Sequence, residues 1–172
     1  KDFAREYEKT GILSHVLGYV GVASKEDLGS DSDLLLNDLV GKAGLELYYN
    51  KELRGENGEI IDFRNAKNET VDQKISAIQS HGNDLYLTID SEFQDYFYRR
   101  LKSQLEGIGR VGGVGIAVNP QNGEVLSLIS LPSFDNNKIS SDLLFDPSKP
   151  LFNRVTSCVY NPGSTIKPLV AV

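Results

Sequence analysis

The clearest alternation of apolar and polar positions lies between residues 91 and 107. Every fourth residue in this stretch is aromatic or leucine: Phe93, Phe97, Leu101 and Leu105. This spacing puts these side chains on one face of an α-helix, and the opposite side is charged. Ser91 and Gln94 have the spacing of a capping box at the first turn, and Gly107 suits the C-terminal end. The pattern therefore predicts an amphipathic helix whose apolar face must be covered.

A β-hairpin is predicted to follow this helix. Residues 112–118 and 124–130 are rich in strand-forming residues, and a polar segment with Pro120 and Gly123 separates them, which is a typical hairpin signal. We expect the two strands to pair antiparallel and to pack against the apolar face of the helix. Upstream of the helix, residues 85–89 alternate aliphatic side chains with Tyr or Thr, which predicts a further half-buried strand.

The beginning of the chain has weaker periodicity. Residues 13–22 are rich in strand-forming residues and are interrupted by Gly18 and Gly21. This stretch predicts short strands, with the glycines at bulges or at points of close backbone packing. Leucines between residues 34 and 40 recur at near-helical spacing and predict a helix that ends at Gly41.

The following stretch predicts a helical turn, a hairpin and a boundary. Residues 44–49 are expected to form the turn, and residues 59–63 and 71–78 are expected to form strands on either side of a polar tip. Residues 80–84 are the most loop-like cluster in the chain. We place a domain boundary between residues 83 and 84.

Composition and charge narrow the possible functions. The 172 residues contain 18 Lys and Arg against 24 Asp and Glu, which gives a net charge of −6. Nucleic acid is therefore an unexpected partner, because phosphate backbones attract clustered cations. The single Cys158 excludes an internal disulfide, and His15 and His81 lie far apart, so no metal site is predicted.

The two ends of the chain suggest that it belongs to a longer protein. The sequence begins with Lys1 rather than methionine and ends in an apolar run at Val172. Neither a signal peptide nor a membrane-spanning run is predicted from the residues present. We therefore expect both ends to be cut.

Ser164 and Lys167 form a Ser-x-x-Lys motif. On a helix the two side chains share a face, so the amine can reach the hydroxyl, remove its proton and activate the serine as a nucleophile. Taken alone, the motif favours a plainer interpretation, a capping serine followed by a solvent-exposed lysine. Pro168 disfavours helical geometry at Lys167 and leaves a loop as an alternative. Because Pro162 and Gly163 precede Ser164, we expect Ser164 within one residue of a helix N-terminus.

Further motifs surround Ser164 and Lys167, and their order matches that of one known protein family. In the second half the matching motifs are Asp84-Leu85-Tyr86-Leu87-Thr88-Ile89-Asp90 with Gln94, Gly115-Ile116-Ala117-Val118-Asn119-Pro120, Gly123-Glu124-Val125-Leu126, Pro132-Ser133-Phe134-Asp135, Pro150-Leu151-Phe152-Asn153-Arg154 and Tyr160-Asn161-Pro162-Gly163-Ser164-Thr165-Ile166-Lys167-Pro168. In the first half they are His15-Val16-Leu17-Gly18-Tyr19-Val20-Gly21, Gly41-Lys42-Ala43-Gly44-Leu45-Glu46 and Leu53-Arg54-Gly55. Many motifs in one order are more specific than any single motif. Together they resemble class B penicillin-binding proteins, and the Gly18-Tyr19-Val20-Gly21 run resembles the elongation-type members more than the division-type members.

This resemblance implies an α+β fold in two parts. Residues 1–83 would form a β-rich, non-catalytic pedestal that binds cell-wall elongation proteins. Residues 84–172 would form the first part of a transpeptidase domain, an antiparallel sheet with packed helices. The parent protein would be held in the cytoplasmic (inner) membrane by a single-pass anchor absent from this chain, with its domains facing the periplasm or the cell exterior.

The resemblance also implies a reaction. Ser164 would be the nucleophile that attacks the D-Ala-D-Ala end of a peptidoglycan stem peptide, and Lys167 would be the general base. An amine from a neighbouring peptidoglycan strand would then complete the cross-link, and β-lactams would acylate the same serine. No metal or organic cofactor is implied, because serine acyl transfer needs neither.

The family's two later motifs, Ser-x-Asn and Lys-Thr/Ser-Gly, do not follow Ser164 in this sequence. Lys9-Thr10-Gly11 spells the second of them but precedes the nucleophile, and we interpret it as a coincidence. We therefore expect this chain alone to be inactive. Two alternatives stay open: part of a serine β-lactamase or penicillin-sensor protein, which the pedestal-like first half argues against, and a non-enzymatic interaction module.

Other residues have plainer interpretations. Asn153 and Arg154 either support the wall of the active site or make an ordinary surface ion pair or loop contact. Cys158 is predicted to be a small packed residue rather than a reactive thiol. His15 is predicted to be structural, and Arg54 is assigned no chemistry.

Overall fold

The chain divides into two units in the computed structural model, which describes residues 5–171 apart from the side chains of Thr165 and Pro168. Unit 1 contains residues 1–88 and 135–139, and unit 2 contains residues 89–134 and 140–172. Helices and antiparallel strand pairs occur in both units, so the predicted α+β class is confirmed. The predicted boundary between residues 83 and 84 remains a prediction.

Unit 1 is built from short elements. In chain order they are α1 (Ser14–Leu17), β1 (Val20–Val22), α2 (Lys25–Ser30), β2 (Leu39–Gly41), α3 (Gly44–Tyr48), α4 (Asn50–Arg54), β3 (Glu59–Arg64) and β4 (Thr70–Ala77). Strand β1 pairs antiparallel with β2, and β3 pairs antiparallel with β4, with Ile60 opposite Ile75. The predicted helical turn at 44–49 and the predicted hairpin are therefore confirmed.

The expected close backbone packing occurs at Gly18. Its φ angle is +80°, and a Cβ atom at this position would lie 1.8 Å from the carbonyl oxygen of Ala43. No side chain fits there, because the backbone before α3 passes directly over this residue. Val40 on β2 belongs to the core and is 3% exposed.

The strands predicted for residues 13–22 occur only in part. The first half of that stretch forms α1, and the strand is confined to β1. Strand preference depends strongly on context, and here Ser14 and His15 are buried on the first turn of α1. The hydroxyl of Ser14 donates to the carbonyl of Gly11 at 3.0 Å, which ties the start of α1 to the preceding turn.

The helix predicted between residues 34 and 40 is wrong. Residues 39–41 form β2, and the residues before it form a turn. The carboxylate of Asp38 accepts a hydrogen bond from the Leu35 N–H at 3.0 Å, and the Asp38 N–H donates to the Leu35 carbonyl at 3.0 Å. A side chain that binds a neighbouring backbone N–H in this way competes with helix formation. Leu34 is buried, whereas Leu35 is 62% exposed.

Residues 135–139 return to unit 1 between two segments of unit 2. The side chain of Asn137 accepts from the N–H of Tyr7 and donates to the carbonyl of Tyr7, both at 2.9 Å. The buried amide of Asn136 donates to the carbonyls of Ser14 and Gly18. Two adjacent asparagines therefore hold the N-terminal stretch and the end of α1.

Unit 2 contains the longest helix of the described chain. Its elements are α5 (Ser91–Gly107), β5 (Gly113–Val118), β6 (Val125–Leu131), α6 (Ser141–Phe145), α7 (Arg154–Ser157), the 3₁₀ helix η1 (Gly163–Ile166) and α8 (Lys167–Val170). Strands β5 and β6 pair antiparallel. A Cβ atom on Gly115 would lie 2.8 Å from Phe97 and 3.3 Å from Leu101, so α5 packs closely against β5. The predicted helix, hairpin and packing are confirmed.

The predicted capping box at Ser91 and Gln94 is wrong. The N-cap of α5 is Asp90, whose carboxylate accepts from the N–H groups of Glu92 and Phe93. Gln94 is fully buried against β6 instead. Its carbonyl oxygen accepts from the Ser127 hydroxyl at 2.6 Å and the Leu128 N–H at 2.9 Å, and its amide donates to the Leu128 carbonyl at 2.8 Å.

The strand predicted for residues 85–89 is also wrong. The backbone there forms no strand ladder within the described residues. Leu85 and Leu87 are 37% and 40% exposed, and Tyr86 is 90% exposed. Alternating side chains favour an extended backbone, but a strand also needs a partner for its N–H and C=O groups.

Candidate active site

Ser164 and Lys167 lie on consecutive helical segments. Ser164 is the second residue of η1, and Lys167 is the first residue of α8. The backbone N–H of Lys167 donates to the carbonyl of Ser164, and Lys167 has helical φ and ψ angles of −56° and −39°. Ser164 therefore lies within one residue of a helix N-terminus, as predicted. Pro168 occupies the first turn of α8, where its missing N–H is tolerated, so the loop alternative is wrong.

The side chains of Ser164 and Lys167 are both exposed. Leu169 and Val170 on α8 are 78% and 73% exposed as well. A lysine can remove a proton only where its surroundings disfavour the charged ammonium form, and burial is the main way to achieve this. The geometry thus puts the two residues one turn apart, while neither is enclosed by the described residues.

Helix α7 precedes this segment, and Asn153 and Arg154 fix its start. The Asn153 side-chain oxygen accepts from the N–H groups of Val155 and Thr156, at 3.1 and 3.4 Å. The Arg154 guanidinium donates to three backbone carbonyls of the preceding loop: Ser148, Lys149 and Phe152. The sequence left open whether these two residues support the wall of the active site or make an ordinary surface ion pair or loop contact. The structure shows loop contacts.

Ser130 also contributes to this arrangement, although its sequence context did not single it out. It lies at the end of β6 and is 2% exposed. Its hydroxyl accepts from the Arg154 N–H at 3.0 Å and donates to the Phe152 carbonyl at 3.4 Å. A detectable signal was present, because Ser127 and Ser130 interrupt the otherwise apolar residues 125–131.

Cys158 follows α7 and is half-buried. A hydrogen bond with Cys158 raises the pKa of the Tyr160 phenol above its usual value, and the positive charge of Arg154 opposes this rise. The half-buried position agrees with the predicted packed role of Cys158.

The remaining candidates lie in unit 1. Lys9 has a φ angle of +50°, and its carbonyl accepts from the Ile12 N–H at 3.2 Å, so the Lys-Thr-Gly sequence at residues 9–11 is part of a turn. His15 is buried with Nδ1 3.3 Å from the Ser14 hydroxyl, in agreement with its predicted structural role. Arg54 forms an ion pair with Asp31 at 3.3 Å.

The described part of the chain contains no group of three or more His, Cys, Asp or Glu side chains that could hold a metal ion. None of its helices combines the length and the apolar character needed to cross a membrane.

Two family models match the chain. The penicillin-binding protein dimerisation domain matches residues 1–87, and the penicillin-binding protein transpeptidase domain matches residues 113–172. The chain therefore belongs to the penicillin-binding protein family, and its relatives place it with the class B, elongation-type members.

Curated relatives align along almost the whole chain. Peptidoglycan D,D-transpeptidase MrdA of Escherichia coli K12 is 34% identical over 100% of this chain and 28% of its own length. The protein of the same name from Acinetobacter baumannii is 35% identical over 98% and 25%, respectively. Stage V sporulation protein D of Bacillus subtilis is 32% identical over 97% and 23%. These relatives do not favour the β-lactamase or sensor interpretation.

Solved structures agree with this assignment. The complex between penicillin-binding protein PBP2 and MreC from Helicobacter pylori matches with a TM-score of 0.77 and 34% identity, over 96% of this chain and 32% of that chain. PBP2 from the same organism without a named partner matches with a TM-score of 0.69. This chain thus spans between 23% and 32% of the length of these relatives.

Proposed function

We propose that this chain is part of a peptidoglycan D,D-transpeptidase in which Ser164 is the nucleophile and Lys167 is the general base. One observation carries the proposal. The two residues lie one helical turn apart, linked by the hydrogen bond from the Lys167 N–H to the Ser164 carbonyl, within the stretch that matches the transpeptidase domain.

The proposed reaction has two acyl transfers. The Lys167 amine takes the proton of the Ser164 hydroxyl, and the oxygen attacks the carbonyl carbon of the penultimate D-alanine. The bond to the terminal D-alanine breaks, and that residue leaves as an amine that takes up the proton. An amine of a neighbouring stem peptide then attacks the ester, which forms the cross-link and returns the proton to Ser164. A β-lactam acylates Ser164 by opening of its ring amide.

We propose that the parent protein is anchored in the cytoplasmic membrane by a single span and faces the periplasm or the cell exterior. The proposed substrate supports this location, because peptidoglycan is cross-linked outside that membrane. The class B family assignment supports it as well.

We also propose that unit 1 binds a cell-wall elongation protein. The support is the H. pylori PBP2 structure, which was solved as a complex with MreC. The β3–β4 hairpin offers exposed apolar side chains for such a contact: Ile60, Phe63, Val71 and Ile75. A pull-down between the full-length parent and its MreC homologue should weaken in Ile60→Asp and Ile75→Asp and should persist in Ile116→Asp on β5. Equal capture by all variants would contradict this partner surface.

The nucleophile assignment can be tested in the full-length parent with a fluorescent penicillin. Ser164→Ala should abolish covalent labelling, because it removes the bonding oxygen. Lys167→Ala should slow labelling severely, because it removes only the base. Ser157→Ala, an exposed serine at the end of α7, is the matched control and should label normally. Covalent labelling of the Ser164→Ala protein would show that the nucleophile is another residue.

The 172-residue chain by itself should show negligible acylation. Ser164 and Lys167 are exposed, whereas a lysine that acts as a general base needs surroundings that disfavour its charged form, and burial is the main way to provide them. Loss of even one oxyanion donor typically costs a further factor of about 10²–10³ in rate. Mass spectrometry of the purified chain after incubation with penicillin measures the acylated fraction. Near-complete acylation of Ser164 within minutes would mean that the site is already assembled.

A further inference from the structure

We propose that Arg154 is a positioning residue for the segment that carries Ser164, and that it acts together with Ser130. The proposal rests on the proposed role of Ser164 as the nucleophile. Neither residue is assigned contact with the substrate, because their polar groups are committed to backbone atoms of unit 2. They would act through the start of α7.

The loop before α7 is built around the guanidinium of Arg154. Nη1 donates to the carbonyl of Lys149 at 3.0 Å and to that of Phe152 at 3.3 Å, and Nη2 donates to the carbonyl of Ser148. The guanidinium carbon also lies 5.8 Å from the centre of the Phe152 ring, a distance suited to a cation–π contact. A single side chain thus closes the loop onto the first turn of α7.

The same loop is shaped from its other end by Asp146. Its carboxylate accepts from the N–H and the hydroxyl of Ser148, at 2.8 and 2.7 Å, and these bonds hold the pKa of Asp146 below its usual value. Lys149 has a left-handed φ angle of +48°, a conformation that costs energy for a residue with a side chain. The Ser148 and Lys149 carbonyls are therefore presented to Arg154 by a turn with a fixed shape.

Ser130 joins this loop to the sheet. Its buried hydroxyl binds the Phe152 carbonyl and the Arg154 N–H. Ser130 therefore holds Phe152 and Arg154 where the end of β6 meets the start of α7. The Phe152 carbonyl accepts from both Ser130 and Arg154. The two side chains thus share one acceptor, and their effects should depend on each other.

The connection from α7 to the nucleophile is short. Helix α7 ends at Ser157, and η1 begins at Gly163. Residues 158–162 are all that separates the two elements. A shift at the start of α7 should therefore displace Ser164, and a misplacement of about 1 Å can reduce a reaction rate by about 10²-fold.

The chemistry of arginine is needed at this position. Its planar guanidinium has five N–H donors in a fixed arrangement, and three carbonyls accept from it here. A lysine ammonium is a point charge on a flexible stem and can satisfy only part of this set. Arg154→Lys should therefore give an intermediate effect, and Arg154→Ala should give a larger one.

The experiment measures the time course of labelling of the full-length parent over a series of fluorescent penicillin concentrations. It separates three quantities: the rate constant of acylation at saturation, the apparent dissociation constant and the final labelled fraction. We expect Arg154→Ala to lower the saturating rate constant about 10- to 100-fold, with the final labelled fraction unchanged. Arg154→Lys should lower it about 3- to 10-fold, since the charge and part of the hydrogen bonding are kept.

Two further variants make the test specific. Ser130→Ala should lower the saturating rate constant as Arg154→Ala does, and the double variant should lose less than the product of the two single losses. Arg100→Ala removes an exposed arginine of α5 and should stay within about twofold of the parent protein, as expected for a surface position. If Arg154→Ala fails to fold, Arg154→Lys and Ser130→Ala still carry the test.

Each outcome has a separate meaning. A lower final labelled fraction with an unchanged rate constant would show that Arg154 only stabilises the fold, and the positioning role would be overturned. Unchanged rates in all three variants would overturn it too. Labelling of Ser164→Ala in the same assay would instead refute the proposed nucleophile, whatever the Arg154 variants do.

Discussion

The β3–β4 and β5–β6 hairpins have similar lengths but different surroundings. In β3–β4 every residue of both strands is exposed. In β5–β6, residues on one face are covered by α5, and Ile129 and Leu131 are 1% and 3% exposed. Both hairpins contain Ile and Val, so apolar composition alone does not decide which hairpin becomes part of a core. The presence of a covering helix decides it.

The residues of β5 are suited to close packing against α5. Its small residues face α5, at Gly113 and Gly115, where any Cβ atom would meet Leu105 or Phe97. Its larger residues, Val114 and Ile116, point away and are 36% and 52% exposed. The two glycines have a low strand preference, yet they occupy the positions of β5 that lie closest to α5. Packing against the helix therefore outweighs strand preference at these positions.

The largest expected effect comes from the same substitution in the two hairpins. Ile129→Ala should lower the free energy of unfolding of unit 2 by about 2–5 kcal/mol, because it leaves a cavity beneath α5. Ile75→Ala, at a position that is 67% exposed, should change that of unit 1 by at most about 1 kcal/mol. Urea denaturation followed by circular dichroism measures both. Equal losses would mean that β3–β4 is covered in solution.

The next effect concerns the polar contact between α5 and β6. Gln94→Ala leaves the Leu128 N–H and C=O and the Ser127 hydroxyl without their partner and should cost about 2–4 kcal/mol. Gln104→Ala, the same change at an exposed position of α5, is the control and should be nearly neutral. If the two variants unfold at the same urea concentration, the buried amide does not hold the helix to the sheet.

A smaller effect is expected from the contact between α5 and β5. Gly115→Ala puts a methyl group against Phe97 and should cost about 1–3 kcal/mol. Gly107→Ala, at the end of α5 where nothing beyond the chain neighbours and the helix's own backbone lies within 4 Å of the added Cβ, should be neutral or stabilising by up to about 1 kcal/mol. Thermal unfolding of the two variants gives the comparison, and a stabilising Gly115→Ala would refute the close approach of helix and strand.

The smallest effect lies in unit 1 and depends on pH. Hydrogen bonds from Lys42 and then from Ser24 hold the pKa of Asp27 below its usual range. A carboxylate with a lowered pKa in the folded state contributes stability above its unfolded pKa of about 3.9, and this is lost as the pH falls through the folded value. Asp27→Asn should therefore destabilise unit 1 at neutral pH, and its difference from the unmodified chain should shrink in strong acid.

The control for this pH dependence is Glu26→Gln, an exposed carboxylate on the same helix. The stability of both variants is followed by urea denaturation between neutral and strongly acidic pH. A difference between Asp27→Asn and the unmodified chain that stays constant over this range would exclude the carboxylate as its origin.

Local patterns predicted the best-covered part of the fold. The four-residue spacing of aromatic and leucine side chains gave α5, and the polar segment between two apolar runs gave β5–β6. Both signals are local, and the final packing agrees with them. The helix predicted between residues 34 and 40 failed because the side chain of Asp38 binds the backbone of Leu35. The strand predicted for residues 85–89 failed because no neighbouring strand in the described part of the chain pairs with them.

The candidate site was predicted less completely than the fold. The spacing of Ser164 and Lys167 was sufficient to expect them on one helical segment. The roles of Gln94 and Ser130 depend on contacts between distant segments, which single-sequence patterns do not contain. A usable hint for Gln94 was that it shares a helix face with Phe97 and Leu101, where an unpaired polar side chain would be costly.

The return of residues 135–139 to unit 1 has a consequence for the order of events during synthesis. The side chain of Asn137 binds the backbone of Tyr7, 130 positions earlier. On the ribosome, the N-terminal stretch must therefore wait until β6 and the following residues have emerged before it gains this partner. Such non-local contacts close large loops and slow folding. The first residues of unit 1 are synthesised before unit 2, but unit 1 cannot complete its contacts until residues 135–139 have emerged. Folding of unit 1 therefore depends on synthesis of residues 89–134 of unit 2.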